Sequence, residues 1–300
     1  MQSNVNAENM TRVLSGFIDY MGKVLPDDIR EKLNELAAQE TQPRAQLIYD
    51  TMLHNQRLAR ELNRPSCQDT GVIQFFARVG TSFPLIDELE DIFIESVRRA
   101  TKQAPLRHNA VETFDEVNTG CNVGLRVPCI NWQIVPHSDK LHLDVYMAGG
   151  GCTLPGRAMV LMPGAGYEGV TEFVLDVMTS YGINACPPLL VGVGIATSVE
   201  TAAMLSKLAL MRPLGTHNPN PRAAMLEEEL ERGINAIGLG PQGLKGTSSV
   251  MGVHIENAAR HPSTIGVAVS TGCWSHRRGT IEFDSDLNYA IPSHKGAIIQ

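Results

Sequence analysis

A thiol, an amide and a carboxylate stand at three consecutive positions, Cys67, Gln68 and Asp69, in the loop sequence RPSCQDTG. A turn at this point needs only the proline and the glycine. In the ordinary interpretation Asp69 caps a turn and Cys67 is a small buried apolar side chain, as most free cysteines are. In the chemical interpretation a metal-ligating thiolate stands beside an acid that can transfer a proton.

Two other cysteines lie in similar Pro- or Gly-rich loops, Cys186 in NACPPLL and Cys273 in STGCWSHRRG. The separations between these loops are far from the CxxC spacing of a compact metal site, so spacing alone predicts no such site. On chemical grounds Cys121, Cys129 and Cys152 are equally possible ligands. Metal ligation, catalysis and plain packing therefore remain open for the six cysteines.

Three consecutive glycines, Gly149 to Gly151, follow a strand-like segment in YMAGGGCTLPG. Such a run costs conformational entropy unless the backbone must approach something closely. An ordinary turn and a set of backbone amides that bind a ligand carboxylate are both compatible with it.

Other polar residues stand where chemistry could use them. They are Arg107-His108-Asn109, His254, His261 before Pro262, and Arg277-Arg278. A single histidine near a helix end is more often a cap or a core residue than a catalyst. An isolated arginine is equally compatible with a surface cation, so none of these residues indicates a site by itself.

The segment LLVGVGIATSVETA resembles a dinucleotide fingerprint, because Gly192 and Gly194 follow an apolar run and precede a helical pattern. The third glycine is replaced by Thr197, and no acidic residue ends a second strand about twenty residues later. We reject nucleotide binding. The pair Thr197 and Glu200 instead predicts a capping box at the start of the helix.

Composition and charge narrow the class of protein. The chain has 300 residues, 43% hydrophobic and 19% charged, which predicts a globular protein of about two domains. A net charge of -7 without a Lys/Arg block argues against a nucleic-acid partner. The start of the chain lacks the features of a secretory signal, and the longest uncharged window, residues 177–199, contains Asn184, Pro187 and Pro188, which disfavour a membrane span. We expect a cytoplasmic protein with no membrane partner.

Hydrophobic periodicity predicts helices from Thr11 to about Asn63 and from Ile86 to Thr101. Strand-like runs at 127–135 and 141–147, separated by a polar turn, predict a β-hairpin. After Gly149, apolar runs alternate with helical ones.

These alternating runs form two pairs, residues 189–193 with 198–210 and residues 249–260 with 265–270. The fold class is therefore mixed α/β. We expect one domain over residues 1–300, with a helical lobe at 1–105 and an α/β lobe at 106–300.

Long ordered strings carry a resemblance over nearly the whole chain. They are LNRPSCQDTG, APLRHNAVETFDEVNTG, YMAGGGCTLPGR, NACPPLLVGVGIATSVETAA and GPQGLKGTSSVMGVHIENAARHPSTIGVAVSTGCW. With them the sequence resembles the iron-sulfur-dependent hydro-lyases of the class I fumarase and tartrate dehydratase family.

The resemblance implies a [4Fe-4S] cluster held by Cys67, Cys186 and Cys273. Three thiolates for four irons leave one iron with an open position, which is typical of a Lewis acid and not of an electron carrier. An open iron also implies sensitivity to oxygen.

The resemblance further implies that Gln68, Arg107 and Gly150 contact a small dicarboxylate substrate and that Asp69 and His261 form an acid/base pair. The implied reaction is the dehydration of (R,R)-tartrate to oxaloacetate and water. The alternative is the fumarate/malate reaction of a two-subunit class I fumarase. A more distant alternative is an iron-sulfur redox or sensing protein in which Cys152 is the fourth ligand.

Single-chain members of the family carry a further C-terminal domain, which supplies a threonine base and additional cationic contacts. Nothing in this chain resembles that domain. The resemblance therefore implies a separate beta subunit and a heteromeric enzyme with two copies of each subunit.

Overall fold

The computed structural model describes residues 2–299. The α-helices are α1 (Gln2–Lys23), α2 (Asp27–Gln39), α3 (Pro43–Glu61), α4 (Leu89–Gln103), α5 (Gly150–Thr153), α6 (Gly166–Tyr181), α7 (Val199–Ala209) and α8 (Pro221–Ile237). The strands are β1 (Val72–Gly80), β2 (Val111–Glu112), β3 (Val117–Asn118), β4 (Cys129–Val135), β5 (Leu141–Ala148), β6 (Arg157–Leu161), β7 (Leu189–Ala196), β8 (Val250–Asn257), β9 (Ile265–Gly272), β10 (Arg278–Phe283) and β11 (Tyr289–Ala290). Short 3-10 segments lie at Ile86–Glu88, Pro163–Ala165, Gly182–Ala185 and Pro241–Gly243.

The mixed α/β class is confirmed, and so are the helices expected between Thr11 and Asn63 and from Ile86 to Thr101. In α1 the apolar residues recur at helical spacing and are buried, for example Leu14, Phe17 and Met21. Pro43 stands at the start of α3, where its missing N–H costs nothing. The periodic apolar stripe therefore predicted these elements correctly.

The chain folds into two compact units, each made of several segments. The first contains Met1–Asp27, Asn55–Gly149 and Arg277–Gln300, and the second contains Asp28–His54 and Gly150–His276. The chain does not divide between residues 105 and 106, where the sequence suggested a boundary. The reason is that each unit builds its own core: α1 and α4 pack with residues of β1, β5 and β10 in the first unit.

The sheet of the first unit has the order β11-β10-β5-β1-β4. Strand β1 lies between β4 and β5, pairing parallel with β4 and antiparallel with β5. Phe75, for example, is opposite Ile130 on one side and Val145 on the other. The expected hairpin of β4 and β5 is therefore wrong, although both strands exist, because the largely buried β1 takes a partner on each edge.

The sheet of the second unit has the order β6-β9-β7-β8, with β7 parallel to β8 and antiparallel to β9. Strands β7 and β9 are buried along their whole length. The first predicted pair is a strand followed by a helix, β7 and α7. Both members of the second pair, 249–260 and 265–270, are strands, since β-branched residues fill this buried sheet.

Helix α7 packs unusually close to strand β7. A Cβ atom on Gly194 would lie 1.9 Å from the carbonyl oxygen of Ala202, and one on Gly192 would lie 2.2 Å from that of Ser206. This approach accounts for the two glycines without a nucleotide. The expected capping box is wrong, because α7 has Ser198 at its N-cap and Thr197 donates its hydroxyl hydrogen bond to the carbonyl of Ala259 instead.

Within residues 2–299, no helix has both the length and the apolar character needed to cross a membrane.

Substituting Gly194→Ala tests the helix–strand approach. The added methyl group cannot fit against the backbone of α7, so we expect a loss of about 1–3 kcal/mol in the free energy of unfolding. Urea unfolding followed by circular dichroism measures it. Gly164→Ala is the matched control, because its Cβ would have no atom within 4 Å, and it should change stability by less than about 0.5 kcal/mol. Equal unfolding midpoints for the two variants would contradict the proposed packing.

Candidate functional site

In the first unit, the loop with the thiol, amide and carboxylate connects α3 to β1. Cys67 and Asp69 are half-buried and Gln68 is exposed. The loop enters β1 at Gly71, whose φ is +78° and whose Cβ would lie 2.8 Å from the main-chain carbons of Met147 and Ala148. Only glycine permits this close approach to β5. The loop is therefore fixed at one end of the sheet.

Asp69 is held from its carboxylate and from its main chain. Its Oδ1 accepts hydrogen bonds from the Gly71 N–H at 3.0 Å and from Asn109 Nδ2 at 3.3 Å. Its carbonyl oxygen accepts one from Arg277 Nη2 at 2.6 Å. The carboxylate orientation is therefore set by groups from two other parts of the chain.

Arg107 lies next to this loop, because its N–H donates to the hydroxyl of Thr70 at 2.9 Å. Asn122, which is 1% exposed, stabilises the main chain of this segment through its buried side-chain amide. Its Oδ1 accepts from the Asn109 N–H at 2.6 Å, and its Nδ2 donates to the carbonyl of Arg107 at 2.8 Å. The Arg107 residue itself is exposed, so its guanidinium is available to an anion. The first unit thus brings together four of the predicted site residues, Cys67, Gln68, Asp69 and Arg107.

In the second unit, the loops that carry Cys186 and Cys273 are joined by a hydrogen bond. The N–H of Trp274 donates to the carbonyl of Cys186 at 3.1 Å. Cys186 is exposed and adopts a left-handed backbone (φ +58°), and Cys273 is half-buried directly after β9. Because β7 begins shortly after one cysteine and β9 ends just before the other, the antiparallel pair places both thiols at the same sheet end.

Gly150 begins the short helix α5 and is exposed. The next residue, Gly151, approaches Asn184: its Cβ would lie 3.6 Å from that carbonyl oxygen. Asn184 belongs to the 3-10 segment that leads into Cys186. Gly151 therefore lies beside the segment that leads into Cys186.

His261 lies elsewhere in the second unit. It is exposed in the loop before β9, and its Nδ1 accepts the N–H of Ser263 at 3.1 Å. Cys273 follows the other end of the same strand. Eight extended residues separate the two ends, a distance of roughly 25 Å. The structure therefore does not bring His261 to the cysteine loops.

A cavity of about 440 Å³ in the second unit adjoins this histidine loop. Tyr167, Arg222, Asn257 and Arg260 are among its lining residues, which include none of the predicted site residues. Arg260 donates to the main-chain carbonyls of its own loop, which indicates a structural role. A search for the site by cavity shape alone would therefore not have identified the cysteine loops.

Among residues 2–299, no three His, Cys, Asp or Glu side chains converge as a single metal ion requires. None of the six cysteines takes part in a disulfide. A four-iron cluster has a different requirement, since each thiolate binds a different iron atom and the sulfur atoms need not converge on one point. Cys67, Cys186 and Cys273 all lie in loops and none is fully buried, so the donor set fits such a cluster chemically.

Comparison with known proteins places the chain in a family. Residues 11–282 match the model of the family described as fumarate hydratase (Fumerase), so the chain belongs to that family and is a hydro-lyase. More particularly, it is 58% identical over 285 residues to the L(+)-tartrate dehydratase subunit alpha of Escherichia coli K12, covering 95% of this chain and 94% of the relative. The corresponding protein of Shigella sonnei shows the same identity and coverage. The family resemblance found from the sequence motifs is confirmed.

Sequence reasoning missed three residues of the site. Asn109 and Arg277 belong to the polar segments Arg107-His108-Asn109 and Arg277-Arg278, to which the sequence assigned no role, and Asn122 was not considered. Their residue types gave the only signal, because their partners lie between 13 and 208 positions away in the chain.

Substituting Asn122→Asp tests the buried network. The new carboxyl would face the carbonyl of Arg107 without a proton to donate, and we expect a loss of roughly 1–3 kcal/mol in unfolding free energy at pH 7. Burial beside oxygen acceptors raises the folded-state pKa of such a carboxyl above its unfolded value. The protonated carboxyl of the Asn122→Asp variant therefore contributes to stability at acid pH, and this contribution is lost as the pH rises through its pKa in the folded state.

Urea unfolding at several pH values from acid to neutral measures this effect. Asn55→Asp is the control, because Asn55 is exposed on α3 in the same unit. A stability deficit for Asn122→Asp that does not widen with rising pH would be evidence against the network.

Proposed function

We propose that this chain is the cluster-bearing alpha subunit of an enzyme that dehydrates (R,R)-tartrate to oxaloacetate and water. The observation that carries the proposal is the 58% identity over 95% of the chain to proteins named L(+)-tartrate dehydratase subunit alpha. The first unit supports it, since a thiol, a carboxylic acid and an exposed arginine lie together there. A cytoplasmic location is part of the proposal.

Cys67, Cys186 and Cys273 would hold a [4Fe-4S] cluster in which one iron has no protein ligand. When bound, that iron supplies Lewis-acid stabilisation for the departing hydroxyl group and makes the enzyme sensitive to oxygen. The assignment is supported by the chemistry of three loop thiols that are not in disulfides. Two of them, Cys186 and Cys273, lie at the same end of the second unit's sheet, so both could bind one cluster.

The chain's own residues would bind and orient the dicarboxylate. Arg107 pairs one substrate carboxylate through its guanidinium, and the exposed Gln68 amide hydrogen-bonds to the same molecule. Gly150 lets the backbone approach closely, because it has no side chain. Together these contacts fix the substrate hydroxyl beside Asp69.

Asp69 would protonate the departing hydroxyl group, which leaves as water. Its Oδ1 accepts hydrogen bonds from the Gly71 N–H and from Asn109 Nδ2, which fix the orientation of the carboxyl group. His261 lies at the end of β9 that is remote from Cys273. We therefore assign proton delivery to Asp69 and retain His261 as a candidate partner of that acid.

Removal of the C3 proton requires a base that we assign to a separate beta subunit. The relatives are named as alpha subunits, which implies a partner subunit. We propose two copies of each subunit in the enzyme. The beta subunit would also supply further cations for the substrate carboxylates.

A second candidate is a two-subunit fumarase, favoured by the description of the matching family as fumarate hydratase. Tartrate and malate differ by one hydroxyl group. A pocket that hydrogen-bonds this group rejects a substrate without it strongly, because the pocket's polar groups are then left unpaired. Turnover of the two substrates therefore separates the candidates.

Reconstitution with a beta-type subunit under anaerobic conditions tests the function. We expect the mixture to dehydrate (R,R)-tartrate in preference to malate, and the chain alone to carry the cluster but to turn over slower by about 10²- to 10⁴-fold, since it lacks the positioned base. A strong preference for malate would favour the fumarase. A comparable rate for the chain alone would place the base within residues 1–300.

Cys152→Ser tests the redox-protein alternative. Cys152 is 6% exposed and packs within the apolar core of the second unit, so we expect the variant to retain the cluster absorbance and the activity of the wild type. Cys67→Ser is the comparison and should lose the cluster. Loss of the cluster in Cys152→Ser would support a closed four-thiolate site and an electron-transfer or sensing role.

A further inference from the structure

Arg277 is a buried cation for which the described chain supplies no counter-ion. It is 2% exposed and is among the largest fully buried side chains. Its Nη2 donates to the carbonyl of Asp69, while Nε and Nη1 have no hydrogen-bond partner among residues 2–299. No described carboxylate forms an ion pair with it. For comparison, the half-buried Arg212 is paired with the buried Glu227 at 2.8 Å.

A guanidinium that is buried without an anion costs several kcal/mol, and breaking a buried ion pair by removing one partner is strongly destabilising. Arginine remains charged in any protein environment, so it cannot escape this cost by losing its proton. A compensating negative charge is therefore expected close to the residue. The carboxylate of Asp69 does not pair with it, because Arg277 contacts the main chain of that residue.

The backbone geometry shows where the guanidinium lies. The carbonyl of Arg277 accepts the N–H of Met147 at 3.0 Å, which extends the pairing of β10 with β5. Gly71 meets the main chain of Met147 from the other side. The side chain reaches across the end of β5 to the loop of Asp69. Cys67 is two residues earlier, so its Cα lies within about 7 Å of the Cα of Asp69.

We propose that Arg277 is the counter-ion of the iron-sulfur site and the positioning residue of the loop that carries Cys67 and Asp69. This inference rests on the proposed function. A cluster with three thiolates and four sulfides carries net negative charge, which a buried guanidinium stabilises more effectively than water-exposed cations do. The hydrogen bond from Nη2 fixes the loop, and the positive charge offsets that of the thiolate and cluster.

Electrostatics then predict a redox effect that packing alone would not produce. Reduction adds negative charge to the cluster, so a nearby buried cation favours the reduced form. Removing that cation should shift the midpoint potential to a more negative value. A residue that only fills space would leave the potential unchanged.

The experiment is an EPR-monitored redox titration of the reconstituted cluster in the complex with the beta-type subunit. Arg277→Gln removes the charge and keeps a donor for the Asp69 carbonyl, and we expect a more negative midpoint and faster loss of iron to a chelator. Arg78→Gln removes a charge from an exposed position on β1 of the same unit and should leave both unchanged. Arg212→Lys controls for a change in a half-buried arginine that already has a carboxylate partner.

The outcomes separate the alternatives. An Arg277→Gln protein with the wild-type midpoint overturns the inference, and a raised KM for tartrate with that same midpoint would show that the anion is a substrate carboxylate. If Arg277→Gln folds without a cluster, the variant Arg277→Lys, which keeps the positive charge, separates the two roles. Restored cluster content in Arg277→Lys supports the counter-ion role. A folded Arg277→Lys protein that still lacks the cluster shows a packing role. A wild type that binds no [4Fe-4S] cluster would instead refute the proposed cofactor.

Discussion

The meeting of Gly71 with the end of β5 is the contact on which the site of the first unit depends. The main chain of the loop passes so close to Met147 and Ala148 that a single methyl group would not fit. This approach fixes where β1 begins, and the antiparallel register then places Val72 opposite Ala148. The loop of Cys67 and Asp69, the asparagines Asn109 and Asn122, and the buried Arg277 are all arranged around that point. The chemistry is therefore positioned by the sheet and not by a flexible loop.

The second unit uses the same principle with a different sheet. Its strands β7 and β9 are buried along their length, and the cysteine loops are the connections at one end of this pair. The close seat of α7 on Gly192 and Gly194 leaves β7 little freedom to shift. In the proposed cluster site a thiol would have to meet one particular iron atom, and such rigidity would help because its ordering cost is met when the protein folds.

The sequence predicted local features well and long-range ones poorly. Helices α1 to α4 followed from apolar periodicity, and the family followed from long motifs. The hairpin failed because a strand from far earlier in the chain inserts between β4 and β5, which no local pattern reveals. The proximity of Arg107 to Asp69 depends on the hydroxyl of Thr70, 37 residues away, and on Asn122. His261 shows the converse, since a residue only twelve positions before Cys273 lies far from it when the intervening segment is an extended strand.

The interleaving of the units has a consequence for biosynthesis. Strand β10 pairs with β5, and the backbone at Gly279 lies against Phe17 and Met21 of α1. The ribosome completes the second unit before it reaches β10. The contact between α1 and Gly279 therefore cannot form until translation is nearly complete. Contacts of such sequence separation form late and expose apolar surface in the meantime. The apolar face of α1 at Phe17 and Met21 therefore stays incompletely covered until translation is nearly finished.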